Sequence, residues 1–291
     1  MPDPRIIPGL SLLAPAYDAL ICDVWGVIHN GRETYPGAAE CLKRFRRTGI
    51  VLLLSNAPRP NGPIRAQLAS LGVPSDAYDA IVTSGDLTRR LLIDRTSSGV
   101  ALNIHYVGPD RDLSLFEDIR VERVAMKDAA AIVCTGPFDD MKEGPDDYRD
   151  YWTDALARRL PFFCANPDLV VQRGDRLIYC AGALAQVYER QGGEVVYLGK
   201  PHLPVYDFVE RHLTELAGRA IPRAKWLAVG DGLKTDIAGA KRAGMAALLI
   251  TGGIHEAELS DEAGTPDATK IAATLVAQDL SAVAAMRRLV W

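Results

Sequence analysis

Two patterns of apolar and polar positions alternate along this chain. Continuous apolar runs such as "ALIC" (19–22) and "VLLLS" (51–55) predict strands buried on both faces, as in a parallel sheet. Between and after them, "GAAECLKRFRRTG" (37–49) and "PIRAQLASLG" (63–72) carry helical spacing. Leu42 and Phe45 would pack back on the sheet, and Gly49 stands where a helix end takes a residue tolerant of positive φ. Near the other end, "KWLAVGD" (225–231), "TDIAGAKRAG" (235–244) and "MAALLITGG" (245–253) repeat strand, helix and strand. Both ends therefore predict an α/β fold with one doubly wound parallel sheet.

The middle offers further strands at "ALNIHYVG" (101–108), "AAAIVCTG" (129–136), "RLPFFCANPD" (159–168) and "GEVVYLGKP" (193–201). Acidic or helical stretches such as "EGPDDYRDYWTDALARR" (143–159) separate them. A chain of 291 residues has room for two domains. The reading is a first core segment at 1–83, an inserted α/β domain at 84–185 and a second core segment at 186–291.

Composition narrows the function by exclusion. A net charge of −4 without a basic block gives no electrostatic case for nucleic acid or an anionic membrane. No apolar run approaches membrane-spanning length. The five cysteines form no C-x-x-C pair, and the histidines have no zinc-site spacing, so reduced thiols in a cytoplasm are expected.

Candidate chemistry sits where polar residues follow apolar runs, because ligands of open α/β sheets collect at the carboxyl ends of strands. Asp23 follows "ALIC", Ser55 and Asn56 follow "VLLL", Lys200 follows "VVYLG", and Asp231 follows "LAVG" with Asp236 just beyond. Singly, a strand-end Asp or Ser is often a helix N-cap and a lysine a surface residue. Together they form a coherent set. Converging carboxylates need a cation, and hard oxygen ligands suit Mg²⁺. An aspartate oxygen can attack phosphorus, while a hydroxyl, amides and an ammonium hold the other phosphoryl oxygens.

The segments D-V-W-G-V (23–27), S-N-A (55–57), G-K-P (199–201) and G-D-G-L-K-T-D (230–236) resemble the four ordered motifs of the haloacid dehalogenase superfamily. The match is to its class IIA, sugar-phosphatase-like branch, similar to nitrophenylphosphatases and the N-acetylglucosamine-catabolism group. That branch inserts an α/β cap into a Rossmann-like core, and the 144 residues between Ser55 and Lys200 accommodate one. "CANPD" (164–168) and "CAGALAQVYE" (180–189) resemble stretches of such caps.

The resemblance implies that Asp23 is nucleophile and Mg²⁺ ligand and Asp231 the second carboxylate on the metal. It implies that Asp236 supports the site through water or hydrogen bonds, and that residue 25 gives its backbone carbonyl. Ser55, the Asn56 amide and Lys200 would grip phosphate, and Arg59 falls where the branch often has a basic residue. Asn166, Asp168 and Arg173 around the "NPD" turn are candidates for substrate choice, or an ordinary turn. The implied substrate is a small phosphorylated metabolite, and a homodimer is expected by analogy.

Trp25 is the departure, since phosphatases of this superfamily usually carry there a second aspartate as general acid and base. Indole cannot titrate in the useful range. One reading is a phosphatase for good leaving groups, with Asp236, His29 or a cap residue serving water. Hydrolysis of a carbon–phosphorus or carbon–halogen bond is another, and non-catalytic binding of a phosphorylated ligand a third. The ring itself either fills space behind the loop or stacks on substrate.

Overall fold

The computed structural model describes residues 4–173 and 176–291, excluding the side chains of Gln172 and Arg173. Its strands begin with β1 (Arg5–Ile6), β2 (Ala19–Cys22), β3 (Ile50–Ser55) and β4 (Ala80–Thr83). Next come β5 (Leu102–Val107), β6 (Val121–Arg123), β7 (Ala131–Cys134), β8 (Phe162–Cys164), β9 (Val170–Arg173), β10 (Arg176–Tyr179) and β11 (Val195–Tyr197). The chain closes with β12 (Trp226–Gly230), β13 (Ala246–Ile250) and β14 (Ala284–Met286). The first helices are α1 (Ala38–Phe45), α2 (Asn61–Ser70), α3 (Ser84–Arg95), α4 (Thr153–Ala157) and α5 (Ala181–Arg190). They are followed by α6 (Leu203–Ala217), α7 (Ala238–Ala243), α8 (Glu256–Leu259) and α9 (Ala268–Ala277).

The residues divide into two compact units. Unit 1 comprises Met1–Ser55, Arg65–Val82 and Pro201–Trp291. It is built on a seven-stranded sheet of order β1-β14-β13-β12-β2-β3-β4. From β2 the chain steps outward to β3 and β4, then returns to β12 on the other side of β2. The strand order therefore reverses between β2 and β12, whose parallel register sets Cys22 opposite Val229. α6 buries Val205, Tyr206, Val209 and Leu213 at helical spacing and ends at Gly218 in the left-handed region.

Gly49 differs from its sequence reading. It is not among the glycines at positive φ, and α1 ends on a right-handed Arg46. A Cβ at Gly49 would instead stand 2.6 Å from the Phe45 ring and 2.8 Å from the Asp18 carbonyl. Close approach, not handedness, selects the glycine there.

Unit 2 comprises Asn56–Ile64 and Thr83–Lys200. Its parallel sheet has the order β11-β8-β7-β5-β6, and β9 and β10 form a separate antiparallel ribbon. Trp152, Phe162, Tyr148 and Tyr188 fill its core. The expected boundary at 185 falls inside α5. Beyond that helix β11 pairs with β8, setting Val195 opposite Phe162, so residues after 185 complete the second sheet. Among the described residues no helix is long and apolar enough to cross a membrane.

Candidate active site

The strand reversal in unit 1 brings three carboxylates together. The Asp23 N–H still donates to the Val229 carbonyl at 2.8 Å, so the side chain leaves the sheet at its carboxyl edge. Asp231 follows β12 directly, and Asp236 lies one turn later in a π-helical segment, Leu233–Ile237. All three are buried, and each offers an oxygen within 4.8 Å of the others. Buried carboxylates this close repel one another unless a cation lies among them, and an all-oxygen donor set suits a hard divalent ion.

Backbone groups orient two of them. The Gly232 N–H donates to Asp236 Oδ2 at 3.0 Å and the Ile254 N–H to Asp231 Oδ2 at 2.8 Å. Around Asp231 only hydrogen fits on the neighbouring α-carbons. A Cβ on Gly26 would lie 2.0 Å from Asp231 Oδ2 and one on Gly253 1.9 Å from it, and Gly26 also has φ +81°. The glycine of D-V-W-G-V is therefore set by the Asp231 carboxylate as well as by its own turn.

Trp25 opens a tight loop that returns at Thr34 through bridges on His29. Its half-buried ring meets the His29 imidazole edge-on at 5.1 Å between centroids. Gly31, at φ +89°, leaves room for the indole, since a Cβ there would stand 2.3 Å from its rim. The loop thus builds a seat for this ring. His29 is consumed by the same loop, because its Nδ1 accepts the Gly31 N–H at 2.9 Å. The neutral ring then carries its proton on Nε2. Burial lowers the His29 pKa to about 4. His29, one of the residues considered as a base for water, is instead a structural pin.

Within unit 2, Asn56 holds Lys200. The Asn56 side-chain oxygen accepts the Lys200 N–H at 2.8 Å and the Ser84 hydroxyl at 3.3 Å. Its amide nitrogen donates to the Lys200 carbonyl at 3.0 Å and to Asp168 Oδ1 at 2.8 Å. All four capacities of the amide are used, fixing the buried Lys200 backbone. A Cβ on Gly199 would lie 2.2 Å from Ser84 Oγ and 2.5 Å from Asn56 Oδ1, which explains the glycine of G-K-P. The sequence reading gave Asn56 a backbone role; its side chain is also the knot tying 56, 84, 168 and 200 together.

The remaining candidates have different surroundings. Ser55 ends β3, beside β2 in the unit 1 sheet. Asn166 Oδ1 accepts the Asp168 N–H at 3.1 Å, the turn expected of "NPD". Arg59 faces the buried Asp112 at 3.7 Å, an ion pair the sequence gave no sign of. Burial raises the Asp112 pKa, with Arg111 and Arg59 opposing it. The Arg173 side chain lies outside the described residues. Sequence reasoning also missed Gly253 and Ile254 against Asp231, since no polar side chain marks them.

Comparisons with known proteins bear on the family and the fold. A profile of haloacid dehalogenase-like hydrolases matches residues 20–122, and a HAD-hydrolase-like profile matches residues 197–283. A solved haloacid dehalogenase-like hydrolase from Brucella suis is 39% identical, with 100% of each chain covered and a TM-score of 0.83. The D-glycerol 3-phosphate phosphatase of Mycobacterium tuberculosis is 28% identical over 263 residues, covering 85% of this chain and 67% of that protein. A glycerol phosphate phosphatase from the same organism, solved in complex with calcium, has 24% identity and a TM-score of 0.61, covering 89% of this chain and 76% of that one. A 4-nitrophenylphosphatase from Thermotoga maritima shares the fold at TM-score 0.65 and 21% identity, over 83% of this chain and 88% of its own. The two matched profiles, the reversed parallel sheet and the full-length likeness to the Brucella hydrolase make this chain a member of the haloacid dehalogenase-like hydrolases.

Proposed function

We propose that this protein is a Mg²⁺-dependent phosphatase of small phosphorylated metabolites that works through an aspartyl phosphate on Asp23. The observation that carries the reading is the buried trio Asp23, Asp231 and Asp236, with oxygens within 4.8 Å of one another. Asp23, Asp231 and the Trp25 carbonyl would hold the ion, with Asp236 in support. When bound, Mg²⁺ supplies positive charge against the carboxylates and the phosphoryl oxygens.

The chain's own residues do the rest. An Asp23 oxygen attacks phosphorus, the P–O bond to the leaving group breaks, and that oxygen takes the bond's electron pair. Water then attacks phosphorus, the bond from Asp23 to phosphorus breaks with its electron pair returning to the carboxylate, and phosphate leaves with the protons of the water. Ser55, the Asn56 N–H and Lys200 hold the phosphoryl oxygens as charge develops on them. Asn56 contributes further by fixing the Lys200 backbone at both its N–H and its carbonyl. Unit 2 acts as the cap, with Asn166, Asp168, Arg59 and Arg173 as candidates for substrate choice.

Trp25 shapes the expected specificity. Without a carboxyl at that position the leaving oxygen departs unprotonated, so stable leaving groups are favoured. A missing general acid typically forfeits about 10² to 10⁴ in rate. Trp25 is also what keeps a second reading in view, hydrolysis of a different bond or binding without turnover. The test is Mg²⁺-dependent turnover of 4-nitrophenyl phosphate and of a sugar phosphate, with Asp23→Asn as control. Fast aryl and slow sugar hydrolysis, both lost in the variant, is the expected result. Metal-dependent phosphate release no greater than that of Asp23→Asn on either substrate would move the assignment to the second reading.

A further inference from the structure

Asp231 is oriented by a segment that carries no polar side chain of its own, Gly252–Ile254, and that segment is held from elsewhere. The Gly252 N–H donates to the Arg287 carbonyl at 3.0 Å, continuing the ladder by which Thr251 N–H meets the Met286 carbonyl at 2.9 Å. The Gly252 carbonyl accepts from Nη1 of Arg288. Two residues on, the Ile254 N–H reaches Asp231 Oδ2.

The same guanidinium has a second engagement. Arg288 lies over the Tyr35 ring, with Cζ 4.0 Å from the ring centroid. Tyr35 closes the loop that begins after Asp23, its N–H donating to the Ile28 carbonyl at 2.8 Å. Glu256 stands 3.8 Å from Arg288 Nη2, a looser approach than that of the Gly252 carbonyl. Arg288 thus touches both segments that flank the carboxylates, one leaving β2 and one leaving β13. Neither Tyr35 nor Arg288 belongs to any motif that identified the site.

We propose that Arg288 is a positioning residue for the metal centre. It fixes the Gly252 carbonyl and the Tyr35 ring so that the Ile254 N–H engages Oδ2 of Asp231 and holds the carboxylate in one orientation. A carboxylate ligand gains affinity when its second oxygen is held, because orientation is then settled before the metal arrives. Groups that hold a ligand in this way are typically worth about 10- to 100-fold in metal affinity. The proposal rests on Asp231 being a metal ligand, as argued above.

The test is calorimetric titration of Mg²⁺ into the whole protein without substrate, comparing wild type, Arg288→Ala, Arg288→Lys and Arg287→Ala. Arg287 is the internal control. Its side chain pairs with Glu256 at 3.0 Å, and its contact with Gly252 runs through its backbone, which alanine keeps. Arg288→Ala should weaken Mg²⁺ binding by about 10- to 100-fold. Arg288→Lys should lie between that and wild type, because one donor to the Gly252 carbonyl survives while the flat contact with Tyr35 is lost. Arg287→Ala should bind as wild type does.

In turnover assays the Arg288→Ala defect should appear as a raised Mg²⁺ requirement, with most of kcat recovered at saturating metal. Should Arg288→Ala fail to fold, Arg288→Lys and Tyr35→Leu carry the same comparison. Wild-type affinity in the folded Arg288 variants, or equal losses in the Arg287 and Arg288 variants, would overturn the proposal. A wild type that binds no Mg²⁺ would overturn the metal reading and this proposal with it.

Discussion

The two sheets of this molecule share a plan and differ in what stands at their strand ends. Each is parallel, and each reverses its strand order once, between β2 and β12 in unit 1 and between β5 and β7 in unit 2. At the first reversal Asp23, Asp231 and Asp236 converge on one another. At the second, Tyr106 and Thr135 share a hydrogen bond at 2.9 Å, Asp112 faces Arg59, and Asp140 meets Arg111 at 2.5 Å. The first is an all-oxygen set of the kind a hard cation takes, whereas at the second each acid is set against a guanidinium. Topology supplies the crevice, and side-chain pairing decides whether chemistry happens in it.

The largest expected effect separates the two reversals. Asp23→Asn should abolish turnover, by about 10⁴-fold or more, as loss of a nucleophile does. Asp112→Asn should change it by less than about fivefold, near 1 kcal/mol in the barrier. Similar losses from both variants in steady-state assays would erase the distinction. Next is Trp25→Asp, which restores a titratable group at the first reversal. It should raise sugar-phosphate hydrolysis by about 10²-fold while leaving aryl-phosphate turnover nearly unchanged. A uniform rise or fall on both substrates would mean that Trp25 does not act through the leaving group.

A smaller effect belongs to the knot at Asn56. Asn56→Leu strands the Lys200 N–H and carbonyl, and should cost about 1–3 kcal/mol of stability. Chemical denaturation would read it. The same variant should lower kcat, though by less than Asp23→Asn does, because Lys200 is misplaced but still present. The smallest effect is a pH dependence. Burial, helped by the charge of Arg242, depresses the His202 pKa from 6.5 to about 4. The unfolded chain therefore takes up that proton first as pH falls. The His202 contribution to stability is whole above about pH 6.5 and is lost progressively toward pH 4. His29 acts in the same direction. Thermal melts across that interval should show a shallower fall in Tm for His202→Gln than for wild type.

Much of unit 1 could be read from the chain because its determinants are local. β2 and β3 are continuous apolar runs, and the acids follow their strands directly, so pattern and chemistry coincide at Asp23 and Asp231. β1, with two residues, and β14, with three, carry too little pattern to be seen. Their places in the sheet come from partners distant in sequence. The limit of unit 2 was misplaced because nothing local tells whether β11 pairs with β8 or with the other sheet. Asn56 shows the same boundary inside the site. The backbone role proposed for it comes from the motif, whereas its side-chain contacts join Ser84, Asp168 and Lys200, up to 144 residues away. His29 shows the converse, where proximity in sequence suggested a base that the fold had already committed to Gly31.

The central claim is that Asp23 takes the phosphoryl group onto itself. Acid quenching of the enzyme during Mg²⁺-dependent turnover of 4-nitrophenyl phosphate, followed by peptide mass spectrometry, tests it most directly. The account predicts an acid-stable, hydroxylamine-sensitive phosphoryl group on the peptide bearing Asp23, absent from Asp23→Asn. Sustained turnover with that peptide unmodified in every quenched sample, and activity persisting in Asp23→Asn, would contradict it.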